Sequence, residues 1–444
     1  MKQSIHIVLS VLAASLLLFC PDCAKNTVSG NDQVTIDNNN VSTQTQGAIT
    51  VKKYNSDRDT TPVVSSADVS LLAAGNTAFA MDMYKQLTGA AGNVFFSPYS
   101  ISLALAMTWG GARTQTEQDM ASVLHFPLPQ AELHPAFNAL DLALNRHAQT
   151  SGFELHIVNQ LWGEKTYTFL PDYLKLVSVN YGADMCLLDF MGNPDPSRLV
   201  INSWVSDQTS QRINDLLPQG SIDVTTRLVL TNAIYFKAQW ADTFGSNHTV
   251  DNVFYRSESD SITTKFMNRI GSYSYVATAE YQAIEMPYKG LSTSMLIILP
   301  ASGKLAQVEA GLSAGFLTTL FSSMQPTSMS LNLPKFKFTT ESISLADILK
   351  SLGMATAFGN QADFSGMDGT RNLCIGDVFH KAFVAVDEKG TEAAAATAVI
   401  MVPTSIQEPP PIFFVANRAF IFLIRDIQTN TVIFMGKLTD PTKE

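Results

Sequence analysis

Apolar positions recur every three and four residues over "DVSLLAAGNTAFAMDMYKQL" (68–87), the spacing of a helix with one face on a core, and Asp68 reads as its N-cap. The runs "SPYSISLALAMTWGGA" (97–112) and "RLVINSWVSDQTSQRINDLL" (198–217) predict two more helices. From residue 226 the pattern changes to short apolar or alternating runs between turn residues, which predicts strands. These are "TRLVLTNAIYFKAQW" (226–240), "QAIEMPYKGLSTSMLIILP" (282–300), "SMSLNLPKFKFTT" (328–340), "KAFVAVDEKG" (381–390), "FIFLIRD" (420–426) and "VIFMGKL" (432–438). Helices early and antiparallel-type strands later predict a single α+β domain over residues 67–444.

Before residue 67 the patterning is different. Lys2 followed by apolar Ile7 to Phe19 reads as a secretory signal over residues 1–24. It ends in Leu17-Leu18-Phe19-Cys20, which resembles a bacterial lipoprotein box and implies lipidation at Cys20. Phe19 departs from the small residue usual at its place, and cleavage near Ala24 with free secretion is the alternative. Residues 25–66, with "NDQVTIDNNNVSTQTQG", are rich in Asn, Thr, Gln and Ser, and predict a flexible polar tether.

Composition narrows the function classes. With 46% hydrophobic and 15% charged residues the chain can bury a large core, and a formal net charge of -10 excludes a phosphate-reading surface. No G-x-S-x-G or H-E-x-x-H motif is present, and no His, Cys, Asp and Glu spacing suits a metal, so the expectation is neither an enzyme nor a cofactor or metal protein. Outside the leader, Cys186 and Cys374 read as buried free thiols.

One segment argues with itself. In "VDEKGTEAAAATAVIMVPTSIQEPPP" (386–411) the alanine run favours helix, while Thr397, Val399, Ile400 and Val402 favour strand and Pro403 ends either. Its surroundings explain it. "NVFFSPYSISLALAMTWGGARTQTEQDM" (93–120), "INSWVSDQTSQRINDLLP" (201–218), "LVLTNAIYFKAQWADTF" (228–244), "KAFVAVDEKGTEAAAATAV" (381–399) and "FFVANRAFIFLIRDIQTNTVIFMGKLTDP" (413–441) together resemble a serpin, with Ala419 where the family usually has proline. The leader makes the resemblance one to a bacterial exported or lipoprotein-type member.

The resemblance implies helices plus three β-sheets and an exposed reactive-centre loop, about 388–411, able to insert into the central sheet. It implies a monomeric suicide-substrate inhibitor that traps a protease after loop cleavage. Glu388, Gly390, Thr391, Glu392, Ala393, Ala394, Ala395 and Ala396 match the hinge; Ser97, Ser100, Asn232 and His380 match the shutter; Trp240 matches the breach. Because strand side chains alternate, Thr391 as the first inward residue puts Ala393, Ala395, Thr397, Val399 and Met401 inward, with Glu392 outward.

Counting 17 residues from Glu388, as in inhibitory relatives, places the reactive bond at Thr404–Ser405, with Met401 and Ser405 as alternatives. No Lys, Arg or Asp occurs between Thr391 and Ala416, which disfavours trypsin-like and caspase-like targets and favours elastase-like serine proteases. A papain-like cysteine protease reading Val402 or Ile400 is the alternative target. A non-inhibitory carrier or chaperone is the alternative function.

Overall fold

The computed structural model describes residues 34–37, 40–89, 92–147, 153–391 and 412–443. Its first six helices are α1 (Ser66–Leu87), α2 (Pro98–Trp109), α3 (Thr114–Val123), α4 (Gln130–His147), α5 (Pro171–Tyr181) and α6 (Pro194–Gln208). The N-cap of α1 is Ser65 rather than Asp68. Ser65 Oγ accepts from the Asp68 amide at 3.1 Å and donates to its carboxylate at 2.7 Å, so Asp68 is the third helical residue, bonded to the cap. The helix predicted over 198–217 ends at Gln208, because Ser210, Gln211 and Asp215 take left-handed φ values of 50°, 62° and 51°.

The strands are β1 (Val34–Ile36), β2 (Val41–Gln46), β3 (Ile49–Tyr54), β4 (Val94–Phe96), β5 (Phe153–Glu164), β6 (Met185–Leu188), β7 (Leu228–Gln239), β8 (Val250–Tyr255), β9 (Ser261–Ala277) and β10 (Tyr281–Pro287). They continue with β11 (Thr293–Pro300), β12 (Gln325–Pro334), β13 (Phe336–Thr339), β14 (Ile343–Ser344), β15 (Asp377–Asp387), β16 (Gly390–Thr391), β17 (Ile412–Val415), β18 (Phe420–Asp426) and β19 (Val432–Leu438). One sheet runs β1-β2-β3-β6-β5-β7-β16-β15-β13, with β14 against β15.

The second sheet runs β17-β12-β9-β10-β11-β18-β19-β4, with β8 against β9. The expected third sheet is not a separate ladder. Strand β9 is 17 residues long and pairs β8 and β12 along most of its length, then β10 at Ser274–Ala277, so one ladder runs through both halves.

The core lies between the sheets and around α2, whose 12 residues are all buried. A smaller cluster on the outer face of the first sheet holds α6 over it, with Trp204 edge-on to Trp162 at 5.3 Å. The flexible tether expected over 25–66 is corrected from residue 34 onward. Strands β1, β2 and β3 extend the first sheet, with Thr50–Lys52 paired to Met185–Leu187 of β6. Composition hid this: one face of an edge extension stays in water, so its polar residues read as tether, while Ile49 and Val51 pack against the outer cluster.

Candidate functional site

The first sheet is slit down its middle. Strands β7 and β15 are parallel and pair only from Val229↔Asp377 to Ile234↔Ala382. Above that, Tyr235–Lys237 pair only with β5, and Phe383–Ala385 only with β13, among the described residues. The two sides are joined again at the top by β16, which pairs Thr391 with both Ala238 and Val386, and Gly390 with both Gln239 and Asp387. Two residues of the predicted loop are therefore already strand.

The sequence closes this hairpin locally. Asp387 Oδ1 accepts from the amides of Lys389 (2.9 Å) and Gly390 (3.3 Å), capping the two-residue turn Glu388–Lys389. Gly390 is required by close approach, since a Cβ there would lie 1.9 Å from the Ala238 carbonyl oxygen. Glu388 is held by Lys335 at 2.8 Å and by the Thr249 hydroxyl at 2.7 Å. Burial pushes its carboxyl pKa up, but these partners outweigh it and leave the pKa below the ordinary carboxylate value.

Trp240 and Thr391 both contact Tyr288. The indole stacks on Tyr288 with centroids 4.6 Å apart and donates to the Asp387 carbonyl at 3.0 Å. Tyr288 Oη lies 2.8 Å from the Thr391 hydroxyl, and Thr391 is 1% exposed. Burial raises the Tyr288 pKa well above the usual phenol range, so the ring is a neutral hydrogen-bonding partner.

Lower down, four expected residues form one buried network. His380 Nδ1 is 2.6 Å from Asn232 Oδ1, and His380 Nε2 accepts from the Ser97 amide at 3.2 Å. The Asn232 amide donates to Ser100 Oγ and to Asn159 Oδ1, each at 2.6 Å. The Ser97 amide contact makes Nε2 the acceptor and leaves the proton on Nδ1. Burial then holds the imidazole neutral, with its pKa lowered to about 3. This network bonds β5, β7 and β15 to the start of α2, at the foot of the slit.

Asn159, Tyr288, Lys335 and Thr249 are site residues that sequence reasoning did not single out. They reach the site from distant segments; Tyr288 and Lys335 fall inside the runs 282–300 and 328–340 predicted as strand, and the pattern marks neither as a site residue. Glu392, Ala393, Ala394, Ala395, Ala396, Met401, Thr404, Ser405 and Cys20 lie outside the described residues. No cluster of His, Cys, Asp and Glu suited to a metal occurs among the described residues. Cys186 is buried, and Cys374 is partly exposed rather than buried; both are free.

The arrangement defines a class of protein: one whose central sheet is parted at Tyr235–Lys237 and Phe383–Ala385, above the paired lower part of the two strands, and has a loop hairpin seated in the top of the gap. The chain belongs to the serpin family, the model for "Serpin (serine protease inhibitor)" matching residues 74–441. It is 39% identical over 381 residues to leukocyte elastase inhibitor of Sus scrofa, spanning 83% of this chain and 99% of that one. It is 41% identical over 364 residues to an uncharacterised serpin-like protein of Thermococcus kodakarensis, spanning 82% and 84% of the two chains. Among solved structures, human thyroxine-binding globulin in complex with thyroxine matches at TM-score 0.77 and 30% identity, over 84% of this chain and all of that one. Uncleaved ovalbumin matches at 0.75 and 28%, over 83% and 100%.

Proposed function

We propose that the protein is a suicide-substrate inhibitor of proteases whose loop, once cut, fills the slit as a new strand. The register of β16 carries the reading. Thr391 faces Ala238 and Val386, so each further loop residue moves one step down both neighbours. Continued in that register, Ala393 comes between Phe236 and Val384, and Ala395 between Ile234 and Ala382. Thr397, the next inward residue and a polar one, comes between Asn232 and His380. Val399 then enters between Leu230 and Val378, where the flanking side chains are apolar.

A hydroxyl thus meets the two polar groups of the buried network, and the Ala393 methyl meets the large Phe236 and Val384. Glu392, on the outer face, comes beside Lys237, which now pairs with Glu154 at 2.9 Å. Each new ladder bond nets about 1 kcal/mol, about what ordering one residue costs. Burial of Val399 and Met401 adds about 1.5–3 kcal/mol each. Strand addition of this kind is a recognised mode of binding, of which serpin loop insertion is itself an example.

In the reaction the nucleophile of the target bonds to the Thr404 carbonyl carbon, the Thr404–Ser405 bond breaks, and the protonated amine of Ser405 leaves. Insertion then carries the acyl-enzyme down the sheet before water can release it. This chain supplies no catalytic group. An elastase-like serine protease is the target class, supported by a loop without Lys, Arg or Asp and by relatives named as leukocyte elastase inhibitors at 38–39% identity. Mixing the full chain with a neutrophil-type elastase is expected to give a complex that survives a denaturing gel, with Ser405 as the new N-terminus of the released fragment. If the chain is only cut, the cut form should be heated. A large gain in thermal stability would keep inhibition and reject elastase, and no gain would leave a carrier or chaperone role.

The same proposal includes export through residues 1–24 and a lipid on Cys20. Expression with labelled palmitate is expected to label the chain and to leave Cys20→Ser unlabelled; an unlabelled parent chain would favour free secretion.

A further inference from the structure

Residues 34–59 lie ahead of the segment that matches the family and are fastened at two places. One end is the β3–β6 ladder, Thr50↔Leu187 through Lys52↔Met185, with Lys53 3.7 Å from the Asp184 carboxylate. The other end is Arg58. Its Nε donates to Asn138 Oδ1 and its Nη2 to Asp141 Oδ2, both at 2.8 Å, and both acceptors lie on α4. Asp141 Oδ1 in turn accepts from the Tyr99 hydroxyl at 3.3 Å. Tyr99 is fully buried in the first turn of α2, between Ser97 and Ser100 of the network under the slit.

The link between the two ends is short and also tied. The Ser178 hydroxyl donates to the Ser56 carbonyl at 2.9 Å, the Asp59 amide to the Val179 carbonyl at 2.9 Å, and the Asn138 amide to the Asp59 carbonyl at 2.7 Å. Gly182, with φ 62°, lets the Arg58 stem pass, since a Cβ there would sit 3.1 Å from Arg58 Cδ.

Strand β6 belongs to the half-sheet β3-β6-β5-β7, which is one continuous ladder on one side of the slit. A strand entering between β7 and β15 widens the sheet by about 4.8 Å. One half must therefore slide over α2, to which both halves are bonded. The segment is attached to the half-sheet at β3 and to the base formed by α2 and α4 at Arg58, so sliding of that half strains it or detaches it.

We infer that residues 41–59 form a brace, with Arg58 as its positioning residue, that resists opening of the slit and sets the rate at which a strand enters. This rests on the insertion reading above.

The test uses the full chain and a labelled synthetic peptide of residues 392–403 as the strand offered to the slit. Arg58→Ala and Val51→Pro, which disrupts the β3 ladder, are each expected to raise the rate of peptide uptake on the order of tenfold. Arg58→Gln, which keeps the stem over Gly182, is expected to act in the same direction if the alanine variant folds poorly. The double variant should be no faster than either single one, because cutting a brace at both ends releases it only once. The native form should melt earlier in each variant, whereas the loop-cleaved form should keep its melting temperature. Unchanged uptake, multiplicative rates in the double variant, or equal destabilisation of native and cleaved forms would each overturn the brace. A parent chain that takes up no peptide and gains no heat stability on cleavage would instead overturn the insertion reading, and the brace with it.

Discussion

Under the proposed insertion mechanism, replacing Thr397 by arginine is expected to turn trapping of the protease into simple cleavage of the loop. In the register set by Thr391, residue 397 arrives between Asn232 and His380, both fully buried. A guanidinium there meets a neutral imidazole and an amide, with no carboxylate in the network to pair it. An uncompensated buried charge costs about 3–5 kcal/mol or more. That exceeds the gain from burying Val399 beyond it, about 1.5–3 kcal/mol. Insertion should stall after Ala395, and the acyl-enzyme should then hydrolyse. The denaturing gel should show cleaved inhibitor and free protease, and the cleaved form should lose the heat stability of the parent. Glu392→Ala, altered on the outer face, should retain trapping. A stable Thr397→Arg complex at parental yield would reject the register.

Acid should destabilise the native fold above the range where carboxylates protonate. His380 and His134 are 0% and 2% exposed, and burial lowers both pKa values to about 3, with the Arg113 charge adding to the effect at His134. Above pH 6.5 both are neutral in the folded and unfolded chain, so they add no pH dependence. As pH falls below 6.5 the unfolded chain takes up two protons that the native state refuses, and stability drops until the native groups titrate near pH 3. At pH 4.5 the loss is about 2.7 kcal/mol per histidine. Carboxylates with lowered pKa, such as Glu388 and Asp440, contribute their own loss only below about their unfolded values of 4.5 and 3.8. Urea unfolding between pH 7 and 4.5 measures this. A slope near two protons between pH 5 and 6 is expected, and a flat profile would show that the imidazoles are reached by solvent.

Much of the site was legible without coordinates because its parts are local patterns. Ser97 before Pro98 marks a helix start, and Asp387 with Gly390 marks a tight turn. What was misread depended on environment. Residues 41–54 look like tether because their polarity suits water, and they are strand because β6 offers an unpaired edge that they cover. The expected third sheet merged with the second because β9 is long enough to pair on both sides of the division.

By itself the sequence determined the α+β class, the family resemblance and the conflict between helix-forming and strand-forming residues in the loop segment. These follow from side-chain size, charge and period along the chain, which need no partner to be read. Only the tertiary structure decided where the slit ends and that Thr391 is already inside it. It alone fastened residues 34–59 to the sheet and to α4. Those facts are registers and contacts between segments as far apart as Arg58 and Asp141 or Ser97 and His380, and such pairings are chosen by the whole packed core rather than by any local preference.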